Sequence, residues 1–151
     1  MYSFPFLLYP ALFVIFTNAP SFGRLSRYLE RDIDSIVMVK EYFINQDFEM
    51  IHISSPGRFQ TNSEIFLSSG QGRVLIENEE ILIALHQLFD HGYRTITKYS
   101  NAIRFVRWSN FRSGTGFIYF FGEQHQEALQ EHFIVEIAPT SKDGWYFYIS
   151  R

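Results

Sequence analysis

The chain has 151 residues, of which 46% are hydrophobic and 19% are charged, and this composition is typical of one folded domain rather than of a disordered chain. Thirteen Lys and Arg residues against 16 Asp and Glu residues give a net charge of -3, which argues against a generally basic nucleic-acid-binding protein. The absence of cysteine excludes disulfides, a thiol nucleophile, iron–sulfur clusters and cysteine-ligated zinc.

The N-terminal segment, Met1 to Gly23, contains no charged side chain and includes an apolar run from residue 4 to residue 16. Its length suits a secretory signal or a membrane anchor, which needs about 20 mostly apolar residues. A buried N-terminal element rich in Phe and Leu is the alternative, and Pro5 and Pro10 weaken any continuous helix. We expect residues 1–23 to be a signal-like or membrane-anchor segment and residues 24–151 to form a single domain.

The location that follows from this segment is the cell envelope, with the domain periplasmic, secreted or anchored to the membrane. A cytoplasmic location is the alternative, because Arg24, Arg27 and Arg31 follow the segment. The positive-inside tendency would keep a domain behind a retained anchor on the cytoplasmic side.

Two segments have the apolar spacing of amphipathic helices. From Leu25 to Asn45, apolar residues recur at three- and four-residue steps, which predicts the first helix. The segment from Asn78 to His91 begins with a capping residue, continues with two glutamates and precedes Gly92, which predicts the second. We expect the nearby carboxylates Asp32 and Asp34 to be surface charges, because alternate helix positions do not face each other.

The remaining apolar runs are short and predict strands. They cover residues 48–53, 65–67, 74–76, 93–99, 103–108, 116–121, 133–138 and 145–149. The second and third runs should form a hairpin, and the last five a β-meander interrupted by a short helix at 123–132. In the last run Trp145 and Phe147 should face one side and the two tyrosines between and after them the other, so we expect this strand to be interior or shielded.

Together these elements predict an α+β fold. A largely antiparallel sheet of about five to seven strands should be covered on one face by the two main helices. His52, between two isoleucines of a predicted strand, should face away from them, and His91 should interact with the negative end of the second helix.

Motifs with established chemistry are missing from the sequence. It has no Gly-x-Ser-x-Gly elbow, no phosphate-binding loop ending in Lys and Ser or Thr, and no His-Glu-x-x-His pair. His125 and His132 lie near Glu127 and Glu131, but their spacing matches no established metal motif. We therefore expect no catalytic, cofactor-binding or metal-binding residues and no cofactor.

Residues 93–122 carry five Arg and Lys residues and no acidic residue, and aromatic residues are interleaved with them. Within this segment, the candidate partner surface consists of Arg104, Arg107, Trp108 and Arg112. Arg, Trp and Tyr are enriched at interface hot spots, which favours a protein partner, although single-stranded nucleic acid or anionic lipid would use the same residue types. A purely structural role is the other alternative. On the predicted strand, Arg104 and Trp108 share one face and Arg107 lies on the other.

The helix at 78–91, followed by the runs Ile103 to Trp108, Gly116 to Tyr119 and Asp143 to Tyr148, resembles small uncharacterised bacterial proteins. Those proteins have an N-terminal hydrophobic segment and end in an aromatic strand of the Gly-Trp-Tyr type. The likeness covers residues 78–150 and implies a bacterial origin, but no activity or catalytic residue. The N-terminus of this chain lacks Lys and Arg and departs from the signal-like start of that group.

We expect a non-enzymatic binding or accessory protein of the bacterial envelope whose partner is another protein. Membrane contact through residues 1–23 is a further option, and nucleic acid is disfavoured. The alternatives are an immunity-type inhibitor that binds a toxin protein and a hydrolase with an unrecognised site.

Residues 24–151 expressed alone should be folded and soluble without detergent, because the uncharged run before them is set apart from the amphipathic pattern that follows. Circular dichroism and size-exclusion chromatography of this fragment beside the full chain test the expectation. An unfolded or insoluble fragment beside a soluble full chain would show that the N-terminal segment belongs to the core.

Overall fold

The computed structural model describes residues 21–56, 66–69, 72–109, 113–121 and 134–151. Within these ranges, the helices are α1 (Phe22–Ile44) and α2 (Glu79–Asp90). The strands are β1 (Ile51–Ser54), β2 (Phe66–Ser69), β3 (Gly72–Leu75), β4 (Thr95–Lys98), β5 (Ala102–Ser109), β6 (Gly114–Phe120), β7 (Ile134–Pro139) and β8 (Trp145–Ser150). The predicted helix at 123–132 lies outside the described residues.

The strands form one antiparallel sheet with the order β3-β2-β1-β4-β5-β6-β8-β7. The predicted α+β class and antiparallel sheet are confirmed, although the sheet has eight strands rather than five to seven. The shortest apolar runs account for the difference, because they form the paired strands β2 and β3. Strand β2 pairs with β1, and β3 pairs with β2, and this pairing provides backbone hydrogen bonds that such short runs could not obtain alone.

The position of β8 differs from the predicted meander. Strands β4, β5 and β6 follow one another, but β8 pairs with both β6 and β7 and leaves β7 at the edge. Aromatic side chains occupy both faces of β8, whereas β7 exposes Val135 and Glu136. The more apolar strand therefore takes the interior position, which confirms the expectation of an interior C-terminal strand.

Two apolar clusters lie on opposite faces of the sheet. The larger one, on the helix face, joins residues of both helices to strand residues such as Phe105, Phe117, Trp145 and Phe147. The smaller one marks what we call the far face and consists of Ala102, Val106, Ile118, Phe120 and Tyr148. Both helices thus pack on one face, as predicted.

Helix α1 begins at Phe22, whose ring stacks on Phe147 of β8 with the ring centroids 5.5 Å apart. The expected boundary after Gly23 therefore falls inside the first turn of this helix, and residues 1–20 lie outside the described residues. A fragment that starts at Ser21 keeps the aromatic contact that a fragment from residue 24 loses. Among the described residues, neither helix combines enough length with enough apolar character to cross a membrane.

Removal of Trp145 to Arg151 should unfold the domain, because it deletes β8 from the middle of the sheet and takes aromatic side chains from both clusters. Circular dichroism and thermal melting measure the effect. Removal of Arg151 alone, which is exposed and lies after the strand, is the control and should melt close to the full chain. A cooperative melt of the longer truncation near that of the full chain would contradict the expectation.

Candidate functional site

The four residues of the candidate partner surface do not share one face. Arg104 lies on the far face, and Arg107 lies on the helix face, as predicted for these two. The prediction that Trp108 shares a face with Arg104 is wrong. A bulge in β5 makes Trp108 pair with Thr115, which alternates with the far-face glycines of β6 and therefore lies on the helix face. Arg112 lies outside the described residues.

Arg107 belongs to a polar cluster on the helix face that the sequence did not predict. The cluster is centred on Asp32, whose side chain is fully buried. The Asp32 carboxylate accepts hydrogen bonds from Arg31 Nε at 2.7 Å and Nη2 at 2.8 Å and lies 2.6 Å from His91 Nδ1. Arg107 donates to the carbonyl oxygen of His91, and its Cζ lies 3.5 Å from the centroid of the Tyr28 ring. We call this group the Asp32 cluster.

The expectation that Asp32 is a surface charge is wrong, whereas Asp34 is exposed as expected. Asp32 lies three residues after Leu29 and four before Ile36, so it occupies the buried stripe of α1. Burial by itself raises the pKa of Asp32, but the hydrogen bonds from Arg31 and His91 outweigh it and hold the pKa below its usual range. The sequence signal that could have located the cluster was Asp32 itself, a carboxylate at a position of the helix where the spacing predicts an apolar residue.

The Asp32 cluster joins three elements, because it ties α1 to the C-terminal end of α2 and, through Arg107, to β5. A carboxylate that orients a histidine is also found beside general bases and metal ligands. The His91 ring is 31% exposed, and in the part of the chain that the structure describes its Nε2 atom makes no hydrogen bond. No described Ser or Thr therefore contacts it as a nucleophile would.

The expectation that His125 and His132 bind no metal is not tested, because both residues lie outside the described residues. Elsewhere, within the described ranges, no group of three or more His, Asp and Glu side chains could hold a metal ion. His52 faces away from its neighbouring isoleucines, as predicted, since those two are buried on the helix face. Its Nδ1 lies 2.9 Å from Thr97 Oγ1 and its Nε2 lies 2.9 Å from Ser54 Oγ.

A cavity of about 250 Å³ opens on the far face where β6 carries glycines. Gly116 stands between Val106 of β5 and Tyr148 of β8 in the strand register and supplies no side chain there. A Cβ atom at Gly116 would lie 1.9 Å from the carbonyl oxygen of Phe105, so the close approach of β5 requires glycine at this position. The described residues that line the cavity are Thr95, Arg104, Val106, Ser109, Ser113, Gly114, Tyr148 and Ser150.

Arg104 is the one charged side chain among these described lining residues. Its Cζ lies 5.4 Å from the ring centroid of Tyr99 and 5.7 Å from that of Tyr148, so two aromatic rings fix the guanidinium beside the cavity. Together with burial, which is the larger cause, the positive charge of Arg104 holds the pKa of His52 below its usual range. The field of this arginine therefore extends along the far face.

Tyr148 brings an unsatisfied donor to the wall of the cavity. Its side chain is fully buried, and its hydroxyl makes no hydrogen bond to any described residue. Burial raises the pKa of Tyr148, so the phenol keeps its proton and remains able to donate. A buried hydroxyl without a partner costs about 1–3 kcal/mol.

Asp32→Ala should lower the free energy of unfolding by about 1.5–3 kcal/mol, because it removes the hydrogen bonds that the charged carboxylate accepts. Asp34→Ala, on the same helix and exposed, is the control and should change it by less than about 0.5 kcal/mol. Urea unfolding measures both variants.

The stability difference between the parent and Asp32→Ala should depend on pH. Because the folded pKa of Asp32 is depressed, its contribution to stability is complete above the ordinary value of 3.8 and is lost as the pH falls through the folded value. The stability gap between the parent and Asp32→Ala should therefore close in strong acid. A gap that is absent at neutral pH, or that grows on acidification, would contradict the assignment.

Comparison of the chain with known protein families, curated proteins and solved structures returns no match. Function must therefore be inferred from the described residues themselves. The Asp32 cluster and the far-face cavity differ in whether they leave space for a group from outside. The buried carboxylate of the Asp32 cluster already has its hydrogen-bond partners within the protein, whereas the far-face cavity has space for a group from outside.

Proposed function

We propose that the protein is a non-enzymatic binding protein whose partner is another protein, and that the cavity beside Arg104 receives a group of that partner. The observation that carries the proposal is the guanidinium of Arg104, fixed between the rings of Tyr99 and Tyr148 at the wall of the cavity. Arginine and tyrosine are among the residue types enriched at interface hot spots. The guanidinium is already ordered, which reduces the entropy lost on binding.

The proposed location is the bacterial envelope, with the domain periplasmic, secreted or anchored through residues 1–23. It is supported by the uncharged apolar segment and by the resemblance of the aromatic C-terminal half to bacterial proteins with such a segment. An immunity-type inhibitor would use the same binding surface for a toxin protein and would favour the cytoplasmic alternative. Fractionation of cells that express the full chain distinguishes the two locations.

A hydrolase is the second candidate, and the contact between Asp32 and His91 is the observation that favours it. The same contact has a structural reason, because it links α1 to the end of α2 and satisfies a buried carboxylate. No described hydroxyl side chain is hydrogen-bonded to His91 as a nucleophile. We therefore rank binding above hydrolysis.

Arg104→Glu should abolish the retention of a partner protein from the envelope fraction of the source cells, because it reverses the charge at the cavity. Arg94→Glu is the matched control, since Arg94 is exposed and is not among the described lining residues. Affinity capture with quantitative mass spectrometry compares the parent with both variants. We expect a protein that the parent and Arg94→Glu retain and Arg104→Glu does not.

Thermal unfolding must accompany this comparison. If Arg104→Glu melts within a few degrees of the parent, the variant is folded. Its failure to retain the partner then results from the changed binding surface. If this variant unfolds, Arg104→Gln and Tyr148→Phe replace it, because they keep most of the packing while removing the charge or the hydroxyl. Equal retention by parent and folded variants, or no retained protein at all, would contradict the proposal.

A further inference from the structure

A serine, a histidine and a threonine on the far face are joined by hydrogen bonds. His52 lies in the middle, with its Nε2 atom 2.9 Å from Ser54 Oγ and its Nδ1 atom 2.9 Å from Thr97 Oγ1. Ser54 lies two residues after His52 on β1, and Thr97 is directly opposite His52 on β4. Strand geometry therefore directs all three side chains to one face. We call these residues the Ser54 group.

The three side chains of the Ser54 group differ in exposure in the order that nucleophilic chemistry requires. Ser54 is exposed, His52 is half-buried and Thr97 is only 5% exposed. The exposed hydroxyl can reach a reagent from outside, while the buried one can hold the imidazole in one orientation. A hydroxyl, a base within hydrogen-bond reach of it and a third residue that orients the base form the general arrangement of an activated nucleophile.

The surroundings of His52 favour its neutral imidazole. Burial, the larger cause, and the positive charge of Arg104 both lower the pKa of His52 below its usual range. The other ionisable side chains described on this face are Tyr99 and Tyr148, whose rings flank Arg104, and Arg73 on β3. A neutral imidazole has one nitrogen that can accept a proton, and this form acts as a base near neutral pH.

The tautomer of His52 decides which nitrogen can accept the proton. With the proton on Nδ1, His52 donates to Thr97 Oγ1, and its Nε2 atom accepts from the hydroxyl of Ser54. Thr97 then holds the ring while Nε2 removes the proton of the attacking serine. The opposite tautomer would donate from Nε2 to Ser54 and could not take this proton, so the role of a base requires the proton on Nδ1.

The far-face cavity begins one strand away from Ser54. Thr95, which lines the cavity, is directly opposite Ser54 in the register of β1 and β4, and neighbouring strands are about 4.8 Å apart. The described lining combines hydroxyl groups with the apolar side chain of Val106. A small uncharged acyl group suits this lining, because it has an oxygen that accepts hydrogen bonds and a short apolar chain. An acyl group in the cavity would have its carbonyl carbon near Ser54.

We infer that Ser54 is a nucleophilic serine that accepts an acyl group from activated carboxylic esters, with His52 as its general base and Thr97 as the residue that positions His52. Ser54 Oγ forms a bond to the carbonyl carbon of the ester while its proton passes to His52 Nε2. The bond between the carbonyl carbon and the leaving oxygen then breaks, and His52 returns the proton to that oxygen. The products are an ester on Ser54 and the free alcohol or phenol.

The backbone beside Ser54 favours a single transfer over repeated turnover. The N–H group of Ser55 donates to the carbonyl oxygen of Arg94 and is therefore not free to stabilise an oxyanion. Acylation should be slow, and the acyl group should stay on Ser54. This modification goes beyond the proposed function and does not depend on it, because a binding protein that carries one acyl group is still a binding protein.

Incubation of the full chain with para-nitrophenyl acetate tests the inference. Absorbance follows the release of para-nitrophenol, and peptide mass spectrometry identifies the acetylated residues. We expect an acetyl group on Ser54 that Ser54→Ala removes and that His52→Gln slows at least about tenfold. Ser68→Ala is the matched control and should leave the rate unchanged. Ser68 is exposed and directly opposite His52 on β2, whereas the partners of the two ring nitrogens are Ser54 and Thr97.

The positioning role of Thr97 has readouts that a purely structural role would not change. Thr97→Val should slow the acetylation of Ser54 about fivefold, and Thr97→Ser, which keeps the hydroxyl, should restore the rate. NMR of the ring nitrogens should find the proton of His52 on Nδ1 in the parent and a larger share on Nε2 in Thr97→Val.

The acetylation rate should depend on pH through His52. Because only the unprotonated imidazole acts as the base, the rate should rise with pH and then level off. The pKa of His52 is lowered in the folded chain, so the midpoint of this rise should lie below the ordinary value of 6.5. The rise should be absent from His52→Gln.

Thermal melting shows whether each variant is folded, and if His52→Gln unfolds, the pH profile of the parent and the Thr97 variants take its place. Acetylation of Ser54 no faster than that of Ser68, or a rate that folded His52→Gln leaves unchanged, would overturn the inference. So would a proton on Nε2 in the parent, or nitrophenol release that persists in Ser54→Ala with the acetyl group on His52. Capture of a partner that depends on Arg104 is measured separately, so failure of this inference is distinguishable from failure of the proposed function.

Discussion

Strand β8 lies between β6 and β7 and joins the parts of the domain to one another. This strand makes backbone ladders on both sides and places aromatic rings in both apolar clusters. Trp145 and Phe147 pack on the helix face, where Phe147 also stacks on Phe22 at the start of α1. Tyr148 closes the far-face cluster and forms part of the cavity wall. The last strand of the chain therefore links the first helix, both cores and the candidate site.

This arrangement depends on contacts between residues that are far apart in the sequence. The first helix meets the last strand, and the sheet is completed only when the C-terminal strand is placed in its interior. Formation of such non-local contacts requires closure of long loops, which has an entropic cost. The turn before β8 contains Gly144, with φ of +76°, where a Cβ atom would lie 2.6 Å from a ring carbon of Tyr119. Close packing thus extends to the turn that starts this strand.

The two faces of the sheet use their polar residues differently. On the helix face, Asp32 is buried and hydrogen-bonded to the partly exposed Arg31 and His91, and the resulting links hold the helices and β5 in place. On the far face, glycines of β6 remove side chains from the middle of the sheet, and Arg104 and Tyr148 stand beside the space that remains. A buried charge that is paired serves the fold, whereas the far-face cavity leaves space beside a cation.

The local structure of this protein follows from periodic patterns in its sequence. Apolar periodicity located both helices and the strand segments, and the alternation in the last run predicted an interior strand with Trp145 and Phe147 on one side. It also identified Arg104 as a candidate contact and placed Arg107 on the opposite face. These features depend on the 3.6- and two-residue periods of helices and strands, which are properties of neighbouring residues.

The order of the last strands, the burial of Asp32 and the position of the cavity could not be predicted from local patterns. The bulge after Val106 moved Trp108 away from the face of Arg104, and no residue-level period predicts an extra residue in a strand. Asp32 is stable inside because His91, 59 residues away, completes its hydrogen bonds. The cavity is lined by residues of β4, β5, β6 and β8 that only the strand pairing brings together. Each of these features requires residues that are distant in sequence to meet, and the pairing register that brings them together is set by the packing of the whole sheet.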